Sequence, residues 1–91
     1  MYSPEQLRSL VSYANLRGVR VMPEYDLPGH GDWAVAEKDI MVMDGPPGCN
    51  ITLDPTKDGT YTFLAAFLGE VTTVFTDEML FLGGDEVQAS W

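Results

Sequence analysis

Leu7, Leu10, Val11 and Ala14 recur at steps of three and four residues, the spacing of one helix face. Ser3-Pro4-Glu5-Gln6 marks the start of that helix. Ser3 can cap it, Pro4 fits the first turn, and Gln6 completes a capping box. Gly18 ends it, because glycine enters the left-handed conformation that closes a helix. Val19-Arg20-Val21-Met22 then predicts a short strand that finishes near Pro23, which has no N–H for a ladder. Residues 24–33 are polar and turn-rich but carry Tyr25 and Trp33. Residues 34–59 lack a regular period. Asp44-Gly45-Pro46-Pro47-Gly48 and Asp54-Pro55 interrupt them, so a functional or disordered loop is expected. From Thr60 the helical period returns: Phe63, Leu64, Phe67, Leu68, Val71, Val74 and Phe75 line one broad face. Asp77 breaks it. Met79-Leu80-Phe81-Leu82 has no polar interruption, which predicts a strand buried on both faces. That run stops at Gly83-Gly84, and Asp85 and Glu86 follow at once.

The order is helix, strand, long loop, helix, strand. Apolar strands alternating with amphipathic helices predict an α/β fold with a parallel sheet. Two parallel strands buried on both faces need neighbouring strands and further helices. Residues 1–91 therefore read as a fragment of a larger α/β domain, with a partial barrel the favoured architecture: two parallel strands with their preceding helices. A complete small α/β protein is the alternative.

Composition narrows the partners. Fourteen acidic residues against five basic ones give a formal net charge of −9. Such a balance disfavours nucleic acid and anionic membrane surfaces. No apolar run approaches the roughly 20 residues of a membrane span. Met1-Tyr2-Ser3-Pro4-Glu5 lacks the basic and then apolar pattern of a signal peptide. The single Cys49 cannot form a disulfide within the chain.

In parallel α/β folds, ligands bind at the carboxyl ends of the strands. Glu24, Asp26 and His30 follow the first predicted strand, and Asp85 and Glu86 follow the second. If the strands are parallel neighbours, all five face one rim. Gly83 and Gly84 would let the backbone turn there and a ligand approach closely. Three chemistries suit such a cluster. One is glycoside hydrolysis by paired carboxyl groups. Another is a metal site built from Asp26, His30, Asp85 and Glu86. The third is a binding rim without chemistry. Trp33 and Trp91 favour a sugar cleft, because indole rings stack on the C–H faces of sugars, although either could instead be a core residue. Tyr25 could also reach the cleft.

These segments together resemble the β-N-acetylhexosaminidases of glycoside hydrolase family 20. The resemblance runs through Tyr2-Ser3-Pro4-Glu5, the stretch from Tyr13 to His30, Leu53-Asp54-Pro55-Thr56, Thr60 to Leu64, and Leu82-Gly83-Gly84-Asp85-Glu86-Val87 with Trp91. Pro23-Glu24-Tyr25-Asp26-Leu27-Pro28-Gly29-His30 combined with the Gly-Gly-Asp-Glu-Val string is its most specific part. The resemblance implies a (β/α)8 barrel, of which this chain would supply two of the eight strands. It implies hydrolysis of terminal non-reducing β-linked N-acetylglucosamine or N-acetylgalactosamine in glycans or chitin oligosaccharides. The substrate's own 2-acetamido oxygen would attack the anomeric carbon with retention of configuration, so no protein nucleophile, cofactor or metal is called for. By motif, Glu86 matches the general acid/base, Asp85 the carboxylate that orients the acetamido group, and His30 the histidine that tunes the acid. Asp26, Glu24 and Trp91 match pocket positions that bind substrate. The family is typically lysosomal, secreted or periplasmic, and the chain itself gives no location.

Some positions depart from the family pattern. Phe81 stands where histidine is frequent. Ser90 replaces a cysteine usually found before the tryptophan, and Cys49 matches that cysteine's partner, so the resemblance implies that the usual loop disulfide is missing. The arginine that grips the sugar hydroxyls, and the later aromatic residues that close the acetamido pocket, have no counterpart here. The 91 residues alone are accordingly expected to be inactive, with exposed strand edges prone to association. A non-catalytic sugar-binding or barrel-complementing fragment is the alternative function.

Overall fold

The computed structural model describes residues 2–34, 36–42, 52–84 and 86–87. Helix α1 spans Pro4–Asn15 and helix α2 spans Asp58–Val74. Two short 3₁₀ turns, Gly31–Ala34 and Lys38–Ile40, lie between them.

The limits of α1 follow the capping residues. Ser3 Oγ accepts from the Gln6 amide at 3.2 Å, and Gln6 Oε1 accepts from the Ser3 amide at 2.8 Å. This reciprocal box satisfies two amides that the helix leaves without partners. At the other end Val19 N–H donates to the Ala14 carbonyl and Gly18 N–H to that of Asn15, with Gly18 at φ 72°. That is a Schellman closure, and it aims the chain back along the helix. Helix α2 begins two residues before Thr60. Asp54 prepares the entry: its carboxylate accepts from the amide and the hydroxyl of Thr56, and its carbonyl accepts from the Thr60 hydroxyl at 2.6 Å. The two helices are in contact, and Val11, Val71 and Val74 are buried.

The predicted strands form less pairing than expected, and at a different place. Among the described residues the parallel pairing is a single bridge, Glu24 with Phe81. Phe81 N–H donates to the Pro23 carbonyl at 3.2 Å, and Tyr25 N–H to the Phe81 carbonyl at 2.9 Å. Pro23 therefore does not end the pairing. A rung centred on Glu24 uses the carbonyl of residue 23 and the amide of residue 25, so the missing proline N–H costs nothing. Met79, Phe81 and Leu82 are half-exposed, against the expectation of burial on both faces.

The core lies where no element was expected. Met41 and Leu53 are each 1% exposed and form an antiparallel bridge across the base of the long loop. Val42 N–H donates to the Thr52 carbonyl, Asp54 N–H to that of Ile40, and Leu53 N–H to that of Pro28. Ala34 and Ile40 join this cluster, and Leu27, Trp33, Phe63 and Leu64 pack against it. The ends of the irregular stretch are thus the best-buried part among the described residues. Its centre, with Cys49, falls outside the described residues. Among those residues, no helix is long and apolar enough to cross a membrane.

Candidate active site

The bridge brings the ends of two distant segments together, and side chains alternate across each. Tyr25 points toward α2. Its ring packs edge-on against Phe67 at 4.9 Å and against Trp33 at 5.4 Å. Trp33 stacks on Phe67 at 4.8 Å and on Phe63 at 6.3 Å. Both aromatics anchor the segment to the helix, and Tyr25 also lines an apolar pocket with Phe67, Val71 and Val74. Burial pushes the Tyr25 hydroxyl's pKa above its ordinary value. Glu24 and Asp26, one step away on either side, belong to the opposite face.

Asp26 meets the end of the second segment directly. Gly84 N–H donates to Asp26 Oδ1 at 2.8 Å. A regular parallel ladder would next carry the Leu27 amide to the Gly83 carbonyl. Here Leu27 N–H donates instead to the Leu82 carbonyl at 2.9 Å. The ladder breaks because Gly83 turns to φ 65° and Gly84 to φ 111°. The Asp26 carboxylate takes the amide of Gly84, which a regular ladder would have turned away from this segment. The fit is close enough that a Cβ on Gly83 would overlap the Asp26 carboxyl group and press on its Cα at 3.0 Å. Glycine is required at 83 by space as well as by backbone conformation.

The turn delivers Glu86 to His30. His30 Nε2 lies 3.9 Å from Glu86 Oε2, within ion-pair reach and beyond a hydrogen bond. His30 follows a cis Leu27–Pro28 peptide and sits at φ 52°, and Glu86 sits at φ 40°. Two non-glycine residues in the left-handed region, facing each other, mark a place where the fold imposes a costly backbone to aim two side chains. Both remain open to solvent: the His30 side chain is 47% exposed and that of Glu86 81%. Asp85 and Trp91 lie outside the described residues. Among the described residues, no group of three or more His, Cys, Asp or Glu is placed to hold a metal ion.

Arg20 and Asp77, at the opposite ends of the two segments, are joined by a two-pronged ion pair of 2.7 and 2.6 Å. Sequence reading missed this pair. Its only signal was an arginine within one predicted strand and an aspartate two residues before the other.

Comparison with known proteins gives a consistent picture. Residues 1–91 match the family model described as glycosyl hydrolase family 20, catalytic domain. The chain is 41% identical to the β-hexosaminidase subunit beta of Sus scrofa over 95 residues, covering 96% of this chain and 17% of that protein. It is 39% identical to the corresponding Homo sapiens subunit, covering 97% and 17%, and 42% identical to β-hexosaminidase A of Caenorhabditis briggsae, covering 96% and 17%. A solved structure titled as a crystal structure of a β-N-acetylhexosaminidase superposes with a TM-score of 0.80 at 30% identity, covering 97% of this chain and 21% of that one. The chain thus spans about a sixth of the length of the curated relatives it matches.

Proposed function

This chain belongs to glycosyl hydrolase family 20, and we propose that it supplies the acid/base corner of a barrel enzyme that removes terminal β-linked N-acetylhexosamine from glycans, chitin oligosaccharides included. The partial barrel of this reading consists of the two parallel segments around Glu24 and Phe81 together with α1 and α2. Glu86 is the general acid/base. It protonates the leaving glycosidic oxygen, then takes a proton from the incoming water. Asp85 orients the substrate's 2-acetamido group, whose oxygen attacks the anomeric carbon to give an oxazolinium intermediate. The negative charge of Asp85 offsets the positive charge that develops there. Adjacent placement suits the task, since the acetamido arm and the leaving oxygen both hang near one carbon. His30 faces Glu86 and is positioned to interact with it, and Glu24 and Trp91 are the candidates for contact with the sugar.

What carries the reading is the pairing of His30 with Glu86 at 3.9 Å across segments more than fifty residues apart in sequence. The solvent exposure of both groups supports inactivity of the 91 residues alone. Water competes at an open acid, and small misplacements cost orders of magnitude in rate. The test is to graft residues 1–91 in place of the matching segment of a full-length β-hexosaminidase and assay a chromogenic N-acetylglucosaminide. The graft turns over substrate, and Glu86→Gln lowers kcat by a factor on the order of 10²–10⁴, the usual share of a general acid. Undiminished turnover in Glu86→Gln rejects the assignment.

The half-exposed Met79, Phe81 and Leu82 favour a second reading, a segment that associates with complementary barrel elements. Sedimentation of the isolated chain separates the two: self-association supports it, and a monodisperse monomer does not.

A further inference from the structure

We propose that Asp26 is a positioning residue. Its carboxylate fastens the Gly83–Gly84 turn to the first segment and thereby fixes where Glu86 stands relative to His30. The proposal rests on the reading of Glu86 as the acid and gives Asp26 a role exerted through the backbone of the turn instead of against the sugar.

Three features lead there. The first is a charge-assisted hydrogen bond from the Gly84 amide to Asp26 Oδ1, at 2.8 Å. The second is the shape of the contact, in which the Asp26 side chain occupies the space that a Cβ at Gly83 would need. The third is the break in the ladder, with Leu27 N–H taken by the Leu82 carbonyl, so that main-chain pairing no longer guides the second segment beyond residue 82. Past that point the backbone runs through φ values of 65° and 111° at the two glycines, then 40° at Glu86. Glycines carry little conformational preference of their own, so a turn of this kind keeps one shape only if something outside it holds it.

Asp26 is itself held. Its carbonyl accepts from Trp33 Nε1 at 3.0 Å, and Trp33 is stacked on Phe63 and Phe67 of α2. A continuous path therefore runs from the packed aromatic cluster through Trp33 and Asp26 to the turn and then to Glu86. A carboxylate at the strand end can serve catalysis without touching substrate when it holds the backbone of the turn that carries the acid.

The test uses both the graft described above and the 91-residue chain. In the graft, Asp26→Ala lowers kcat by about 100-fold, the scale expected of an ångström-sized displacement, with KM within about twofold. Asp26→Asn keeps an acceptor of the same shape and recovers at least about tenfold of that loss. Gly83→Ala, which forces Asp26 away while leaving its charge in place, reproduces the kcat loss at constant KM. In the chain, the Gly84 amide loses hydrogen-exchange protection in Asp26→Ala, and the nuclear Overhauser contact between the single imidazole and the Glu86 side chain disappears. A rise in KM at constant kcat overturns the proposal, as does an Asp26→Asn variant as impaired as Asp26→Ala. Persistence of the His30–Glu86 contact in the Asp26→Ala chain also overturns it. Should Glu86→Gln leave the graft active, the acid assignment fails, while the magnetic resonance readout still decides whether Asp26 holds the turn.

Discussion

Arg20 and Asp77 hold the two paired segments together at the end remote from His30 and Glu86. Arg20 Nε meets Asp77 Oδ2 at 2.7 Å and Nη2 meets Oδ1 at 2.6 Å, while the Met79 amide donates to the same carboxylate at 2.9 Å. The Arg20 hydrogen bonds, together with that amide, pull the Asp77 pKa from its ordinary 3.8 down to about 2. A folded-state pKa below the unfolded one contributes stability that is present above pH 3.8 and disappears as pH falls toward 2. Denaturant unfolding of Asp77→Asn is therefore expected to show lower stability than the parent near neutral pH and a shallower decline between pH 4 and 2. Parallel acid limbs for the two proteins contradict this.

Gly83 and Gly69 make opposite predictions for the same substitution. At Gly83, a methyl group meets Asp26 and a backbone at φ 65°, so Gly83→Ala destabilises by more than about 1 kcal/mol. At Gly69, inside α2, an added Cβ meets nothing within 4 Å, so Gly69→Ala stabilises by roughly 0.5–1 kcal/mol through helix propensity. Urea midpoints at constant slope measure both.

Trp33→Ala should act on stability. The indole touches Tyr25, Phe63 and Phe67 and donates to the Asp26 carbonyl. Its partial exposure puts the expected loss near the lower end of the range for large aromatic truncations, about 3 kcal/mol. Thermal unfolding reports it. A fully stable variant with altered sugar affinity points instead to a stacking platform.

The parts of the fold set by near neighbours in sequence were legible, and those set by distant pairing were not. Ser3, Gln6 and Gly18 specify α1 within a few residues of its ends, and their hydrogen bonds match the motif. The parallel bridge was inferable only as a consequence of fold class, and it falls at Glu24, beyond the Val19–Met22 stretch expected to be the strand. Pro23 reads as a stop unless one knows that its carbonyl faces Phe81. Met41 and Leu53, on either side of a stretch broken by Gly45, Pro46, Pro47 and Gly48, gave no periodic signal, yet they form a bridge and are each 1% exposed. The site was visible as residue types at strand ends. The contact of Asp26 with Gly84 was not, because it depends on where two glycines leave the ladder. Asp85 and Trp91, also named from sequence, lie outside the described residues.

The most direct measurement is a double-mutant cycle between His30 and Glu86 on kcat/KM in the grafted enzyme. Residues that act as a unit are not additive, so His30→Ala should cost far less in the Glu86→Gln background than alone, by a coupling of at least about 1 kcal/mol. Losses that simply add would mean that the imidazole and the carboxylate serve separate sites.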